Sequence, residues 1–243
     1  YDRENDRIKL KIIHTYGVVK QAEELAGRMH LSAEDTDLAR LIALLHDIGR
    51  FEQLKRYDSF EPGTMDHAAY GVKVLFDEGM IRRFLPDDKW DSIIYTAIAH
   101  HSDYELPEIS DPQTLLHAKL IRDEDKLDNC RVKLVDSTST FINVSEEELG
   151  TQSITQKVYE TVFKNKCILS ADRVTQMDYW VSYIVYFFDI NFKESFDIIA
   201  KNDYLNRIID RIPYSNPVTK EQMENIRVYM QNFINSHTNS QSF

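Results

Sequence analysis

Eight histidines are spread through the 243 residues: His14, His30, His46, His67, His100, His101, His117 and His237. A histidine taken singly is most often a surface or satisfied core side chain, so the neighbours decide which ones carry chemistry. His46 is followed directly by Asp47 at the end of an otherwise apolar run, Leu41-Ile42-Ala43-Leu44-Leu45. His100 and His101 likewise close an apolar run that starts at Ile93 and ends at Ala99. Burying a His-Asp or His-His pair is costly unless something satisfies it, and a cation does so well. A helix end also lets adjacent side chains swing toward one point, which mid-helix neighbours about 100° apart cannot easily do. The chemistry on offer is metal ligation by imidazole and carboxylate.

His14 in Ile13-His14-Thr15, the doublet in Leu44-Leu45-His46-Asp47-Ile48-Gly49, and Asp125 in Asp123-Glu124-Asp125-Lys126-Leu127-Asp128 stand in a recognisable order. Together they resemble the HD superfamily of metal-dependent phosphohydrolases, whose pattern is a His, then a His-Asp doublet, then a distant Asp before a basic residue and a leucine. The resemblance covers residues 8–135. It implies a metal bound by His14, His46, Asp47 and Asp125. His67 in Asp66-His67-Ala68 and the pair His100-His101 are similar to the further ligands of the dinuclear branch, which includes cyclic-di-nucleotide phosphodiesterases. The implied arrangement has Asp47 bridging two ions, one completed by His14, His46 and Asp125, the other by His67, His100 and His101. Mixed imidazole and carboxylate ligands suit Fe, Mn, Zn, Co or Ni more than Ca or Mg, with one or two divalent transition-metal ions expected. Asp123 and Asp128 are alternatives to Asp125. The same acidic run fails as a calcium loop, because its fifth position is Leu127 and no glycine comes sixth.

The implied activity is hydrolysis of a phosphate ester by metal-activated water, with Asp47 and Arg50 as the catalytic residues. Arg50 lies four residues after His46, and its planar fork suits a phosphate, although the dinuclear branch has lysine there. Lys55, Arg56, Arg122 and Lys126 are further candidate cations, and Asn129 a candidate support for the ligands. The sequence after the His pair, Ser102-Asp103-Tyr104-Glu105-Leu106-Pro107, lacks the Gly-Tyr-Pro signature of the cyclic-di-nucleotide enzymes. Ile48-Gly49-Arg50-Phe51 replaces the Glu-Asp pair of the alarmone hydrolases. The expected substrate is therefore a nucleotide or other small phosphorylated compound. The aromatic and charged stretch 51–60 is a candidate lid beside the site. Two other readings use the same ligands: a di-iron oxygenase, and a non-catalytic metal- or ligand-binding regulator.

The elements that must position these groups read as helices. Apolar spacing predicts a helix over 8–29, with Gly27 and His30 near its end. Ser32 is the expected N-cap of the next, with Asp35 three residues on. That helix is expected to run to Gly49 as its C-terminal glycine. A loop over 51–64 should follow, then helices over 65–78 (stopped by Gly79), 88–101 and 115–134. Residues 137–153 are polar and read as a loop plus a helix start. Three helical patterns follow, over 153–166, 170–202 with breaks, and 217–236, and a polar tail, 237–243, is expected to fray. The strand signal is weak, and 7 glycines supply few tight turns. The expected fold is all-α: a single domain over 1–243, with an HD-type metal-binding core at 8–135 and a helical extension at 136–243 packed on it. An apolar share of 42% with 28% charged residues is an ordinary globular balance. A formal net charge of −11 repels polyanions, so no nucleic-acid polymer is expected as a partner. The longest apolar stretch, 179–190, is too short for a membrane span. Two cysteines and no basic-then-apolar leader fit a cytoplasmic protein.

Overall fold

A computed structural model describes residues 1–61 and 63–238. Helices are the regular structure of the described residues, which contain no strand, so the fold is all-α. They form two compact units, 1–128 and 129–243.

In the first unit, α1 (Asp6–Arg28) packs on α2 (Ala33–Leu45). Their connection is short because α1 ends in a left-handed residue, His30, whose N–H donates to Gly27 O while Leu31 N–H donates to Ala26 O. Ser32 caps α2 by accepting from Asp35 N–H at 3.0 Å. Then α3 (Ile48–Tyr57) packs on α4 (His67–Val72), which continues as a π-helical turn, Lys73–Asp77. A 3-10 turn at Met80–Arg83 leads to α5 (Asp91–Ala99) and α6 (Pro112–Val135). Val18, Ala22 and Leu25 of α1, Ile42 and Ala43 of α2, Ile94, Ala97 and Ile98 of α5, and Leu120, Ile121 and Leu127 of α6 are all fully or nearly fully buried. Asp35 joins the start of α2 to α6, accepting from Gln113 at 2.8 Å and pairing with His117 at 3.2 Å.

The second unit takes the end of α6 and α7 (Thr138–Ile142), α8 (Glu146–Thr151), α9 (Gln156–Val162), α10 (Gln176–Val185), α11 (Lys193–Lys201), α12 (Tyr204–Asp210) and α13 (Pro217–Thr238). Its core holds Trp180 and Phe187 with Met223, Ile226 and Met230. Lys133 is buried with its ammonium 4.2 Å from the Phe141 ring and 3.9 Å from the Tyr183 ring.

Three expectations need correction. Helix α2 stops at Leu45, and 48–57, expected to be mostly loop, is helix α3. Gly49 is not a C-terminal glycine; it sits in the first turn of α3, where a Cβ would lie 2.1 Å from His67 O and 2.8 Å from Gly71 N. It is glycine because α3 and α4 approach too closely there for any side chain. The tail was also expected to fray from 237, yet α13 runs through Thr238, with His237 stacked on Phe196 at 4.5 Å. The rest of that tail, 239–243, lies outside the described residues.

One buried group works against the fold. Glu124 is fully buried, and among the described residues neither of its carboxylate oxygens has a hydrogen-bond partner. Burial first, then the neighbouring Asp123, pushes its carboxyl well above the usual range. Folding therefore favours the protonated form, while the unfolded chain ionises near the ordinary glutamate value of about 4.3. Stability from this site falls as pH rises above that value. Glu124→Met is expected to stabilise the chain by roughly 1–3 kcal/mol at pH 8 and by less at pH 5. Thermal melts at the two pH values check this; an equal shift at both, or a loss at pH 8, contradicts it.

Candidate metal centre

Five helices of the first unit bring side chains to one pocket. Lys11 and His14 lie three residues apart on α1 and so share a face. The break between α2 and α3 carries His46 and Asp47. Asp47 stands at the N-cap position of α3 but makes no side-chain cap hydrogen bond, which leaves both its oxygens for the pocket. Its Oδ2 lies 2.5 Å from Lys11 Nζ and 3.5 Å from His46 Nε2. Its Oδ1 lies 3.3 Å from His67 Nε2, 3.7 Å from His101 Nε2 and 3.7 Å from Arg50 Nε. The carboxylate thus faces two groups of nitrogen atoms, one with each oxygen. His67 opens α4, His101 follows α5, and Asp125 and Asp128 come from α6. His14 is gripped at both nitrogens, Nδ1 at 2.7 Å from Asp128 Oδ2 and Nε2 at 2.9 Å from Asp125 Oδ1. A Cβ on Gly17, one turn from His14, would lie 2.0 Å from Asp128 Oδ1, so glycine there admits the Asp128 carboxylate.

The hydrogen bonds fix the imidazole tautomers. His46 Nδ1 is 2.7 Å from Ala43 O, and His101 Nδ1 is 2.7 Å from Ile98 O. A carbonyl oxygen only accepts, so both Nδ1 atoms carry a proton, and both Nε2 atoms face the pocket. Among the described residues, His46 Nε2 is fully buried with no hydrogen-bond partner. His67 Nε2 accepts from Arg50 Nη2 at 2.9 Å, so it presents a lone pair only 3.1 Å from His101 Nε2. Buried imidazole nitrogens and carboxylate oxygens converging on one point are costly unless cations offset them, and Lys11 and Arg50 are the two side-chain cations that reach this one. Imidazoles with Nδ1 anchored and Nε2 turned inward are the arrangement of metal-ligating histidines. Two groups have ligand atoms within 4.8 Å of one another and could each hold an ion: His14, His46 and Asp125, and His46, Asp47 and His101.

Compared with known protein families, residues 12–130 match the HD domain family. The chain carries an HD domain. No curated protein and no solved structure matches the chain. HD domains bind divalent metals and are generally metal-dependent hydrolases. The donor set of this HD domain fits a divalent metal, because its convergent atoms are imidazole nitrogen and carboxylate oxygen.

Six of the seven expected ligand residues of the HD domain meet in the pocket; His100 does not. Its side chain is 35% exposed, and its Nδ1 pairs with Asp103 Oδ2 at 2.7 Å. Adjacent side chains leave a helix about 100° apart, so turning His101 inward turns His100 out. Both Asp125 and Asp128 are used, on opposite nitrogens of His14. Arg122, expected as a candidate cation, is buried and donates to Asp103 O at 2.7 Å and His100 O at 3.0 Å, fastening the turn after α5. Lys126 Nζ donates to Arg122 O at 3.2 Å, and Arg56 pairs with Glu52 at 2.8 Å. Asn129 Oδ1 accepts from Lys133 at 3.5 Å. Arg50 is directed by Gln53, whose Oε1 accepts from Arg50 Nη1 at 2.6 Å. The Gln53 amide in turn donates to Glu61 O at 3.0 Å and Thr64 Oγ1 at 2.8 Å, tying the loop after α3 to the site.

Charge in the pocket is balanced locally. Burial opposes ionisation of Asp47, but Lys11 and then His46 outweigh it and hold its carboxyl well below the usual range. Asp125 is likewise lowered: burial opposes its charge, and its hydrogen bond to His14 wins. Burial first, then the Arg50 guanidinium, pushes the His67 imidazole well below its ordinary value. Ionised carboxylates beside neutral imidazole are the ligating forms of these groups. The sequence reading missed Lys11 and Gln53. Lys11 carried one usable signal, its three-residue spacing from His14 on the same helix face; Gln53 carried none.

Proposed function

We propose that this HD domain is a phosphohydrolase that uses one or two divalent transition-metal ions to cleave a small phosphorylated compound such as a nucleotide. His14, His46 and Asp125 would hold one ion, and Asp47, His67 and His101 the other, with Asp47 shared. The observation that carries this reading is Asp47, buried with one oxygen toward His46 and the other toward His67 and His101. The chemistry divalent cations supply in such a site is activation of water as a nucleophile and neutralisation of phosphate charge. Arg50, steered by Gln53 and placed beside His67, offers its fork to phosphate oxygens. Asp128 keeps the His14 ring aligned, the supporting role that carboxylates play behind ligating imidazoles. The net charge of −11 favours a compact anion held by local cations over a polyanion.

The test is phosphate release by the chelator-treated chain. Mn, Fe(II), Zn, Co or Ni is added back, and phosphomonoesters, phosphodiesters and nucleotides are supplied. Turnover that requires added metal is the expected result. Two bound ions with no turnover of any ester would refute hydrolysis, and oxygen uptake with an organic substrate would assign the ligands to oxidative chemistry instead.

A further inference from the structure

Lys11 lies one residue before the segment that matches the HD family, yet it makes the shortest contact to the pocket's central carboxylate. Its side chain is 11% exposed, and its ammonium is 2.5 Å from Asp47 Oδ2. Oδ2 is also the oxygen that faces His46 Nε2, a buried nitrogen with no hydrogen-bond partner among the described residues. Lys11 therefore stands where Asp47 would engage an ion on the His14, His46 and Asp125 side. An ammonium and a divalent cation cannot share that oxygen closely without strong mutual repulsion.

We propose that Lys11 is a displaceable counter-ion: it neutralises Asp47 in the metal-free chain, yields Oδ2 when metal is bound, and then contacts the anionic group of the substrate. This inference rests on the phosphohydrolase reading for its last step only. Three observations support it. Asp47 is the carboxylate that Lys11 touches, and Asp47 and Asp125 both belong to the ligand set, so a metal-loaded pocket leaves the ammonium without its acid. The flexible lysine stem permits a short swing, and the Phe60 ring, 5.8 Å from the ammonium, keeps a favourable surface for the cation beside the pocket. Arg50 approaches the other oxygen of Asp47, so Lys11 and Arg50 flank that carboxylate from both sides. A phosphoryl group, with three charged oxygens, accepts from both at once.

The two roles have opposite signs, which makes them separable. In Lys11→Met, Mn or Zn affinity measured by chelator competition without substrate should tighten by about threefold to tenfold. Affinity of the metal-loaded chain for inorganic phosphate should weaken by at least about tenfold, and KM for a hydrolysed ester should rise in parallel. Lys11→Arg should keep phosphate affinity within about threefold of the parent. Lys11→Gln serves as the second neutral variant should Lys11→Met not fold. Weaker metal binding in the neutral variants, or unchanged affinity for both metal and phosphate, overturns the proposal, and so does loss of phosphate affinity in Lys11→Arg. If metal binding tightens while no ester is ever hydrolysed, counter-ion competition stands and the hydrolase reading fails. If esters are hydrolysed and the neutral variants behave as the parent, the reverse holds.

Discussion

Asp47→Asn is expected to lower metal-dependent turnover by more than about 100-fold, a larger loss than altering a supporting carboxylate produces. The amide keeps the shape of the side chain and removes its charge. It also turns one oxygen into an N–H donor, which faces either Lys11 or the imidazoles of His67 and His101. In either orientation the group that faced two sets of nitrogens can ligate on one side at most. Metal content should fall, and the rise in melting temperature that added metal gives the parent should shrink toward zero. A ligand that binds only the folded chain stabilises it by about 2.7 kcal/mol at 100 times its dissociation constant. His100→Ala is the informative comparison, since its ring is turned out toward Asp103. It should leave turnover and metal content within about twofold. Equal losses in the two variants would mean that the outward placement of His100 is wrong, and full activity in Asp47→Asn would remove the basis of the metal centre.

The chemistry was legible where type, order and spacing coincided. His14, the 46–47 doublet and the 123–128 run all point to one place, and in the structure His14, His46, Asp47, Asp125 and Asp128 lie close together. The choice among Asp123, Asp125 and Asp128 was not legible, because it depends on which helix face looks at His14. Asp125 and Asp128 are three residues apart, and both do. The His100-His101 pair was overread: two imidazoles in succession suggest two ligands, but the chain turns only one inward. Gln53 left no mark at all. Its contacts are to Arg50 in its own helix and to Glu61 and Thr64 in the following loop, and a buried glutamine in a charged stretch reads as any polar helix residue. Lys11 acquires its meaning from Asp47, thirty-six positions away in the chain. Helix existence followed from apolar spacing, while α3 was hidden by Gly49, a residue that sequence rules assign to helix ends.

That glycine provides the sharpest contrast in the chain. Gly49→Ala is expected to destabilise the protein by roughly 3 kcal/mol, at the upper end of what an extra methylene costs in a packed core. The added Cβ would meet backbone, His67 O at 2.1 Å and Gly71 N at 2.8 Å, and no side-chain rotation relieves such a clash. α3 and α4 must separate. That movement carries Arg50, one residue along α3, away from His67, the first residue of α4. Stability and site geometry should therefore fail together: a lower melting temperature, weaker metal affinity, and reduced turnover even at temperatures where the variant stays folded. Gly27→Ala should do the opposite. Gly27 is inside α1, and among the described residues outside its own turn nothing lies within 4 Å of its Cβ position, so alanine only removes chain entropy from the unfolded state. A gain of about 0.5–1 kcal/mol with unchanged metal binding is expected. Parallel thermal melts and metal titrations of the two variants decide the matter. Similar melting temperatures would show that α3 and α4 are not in close contact at Gly49, and the account of why His67 and Arg50 meet would have to be given up.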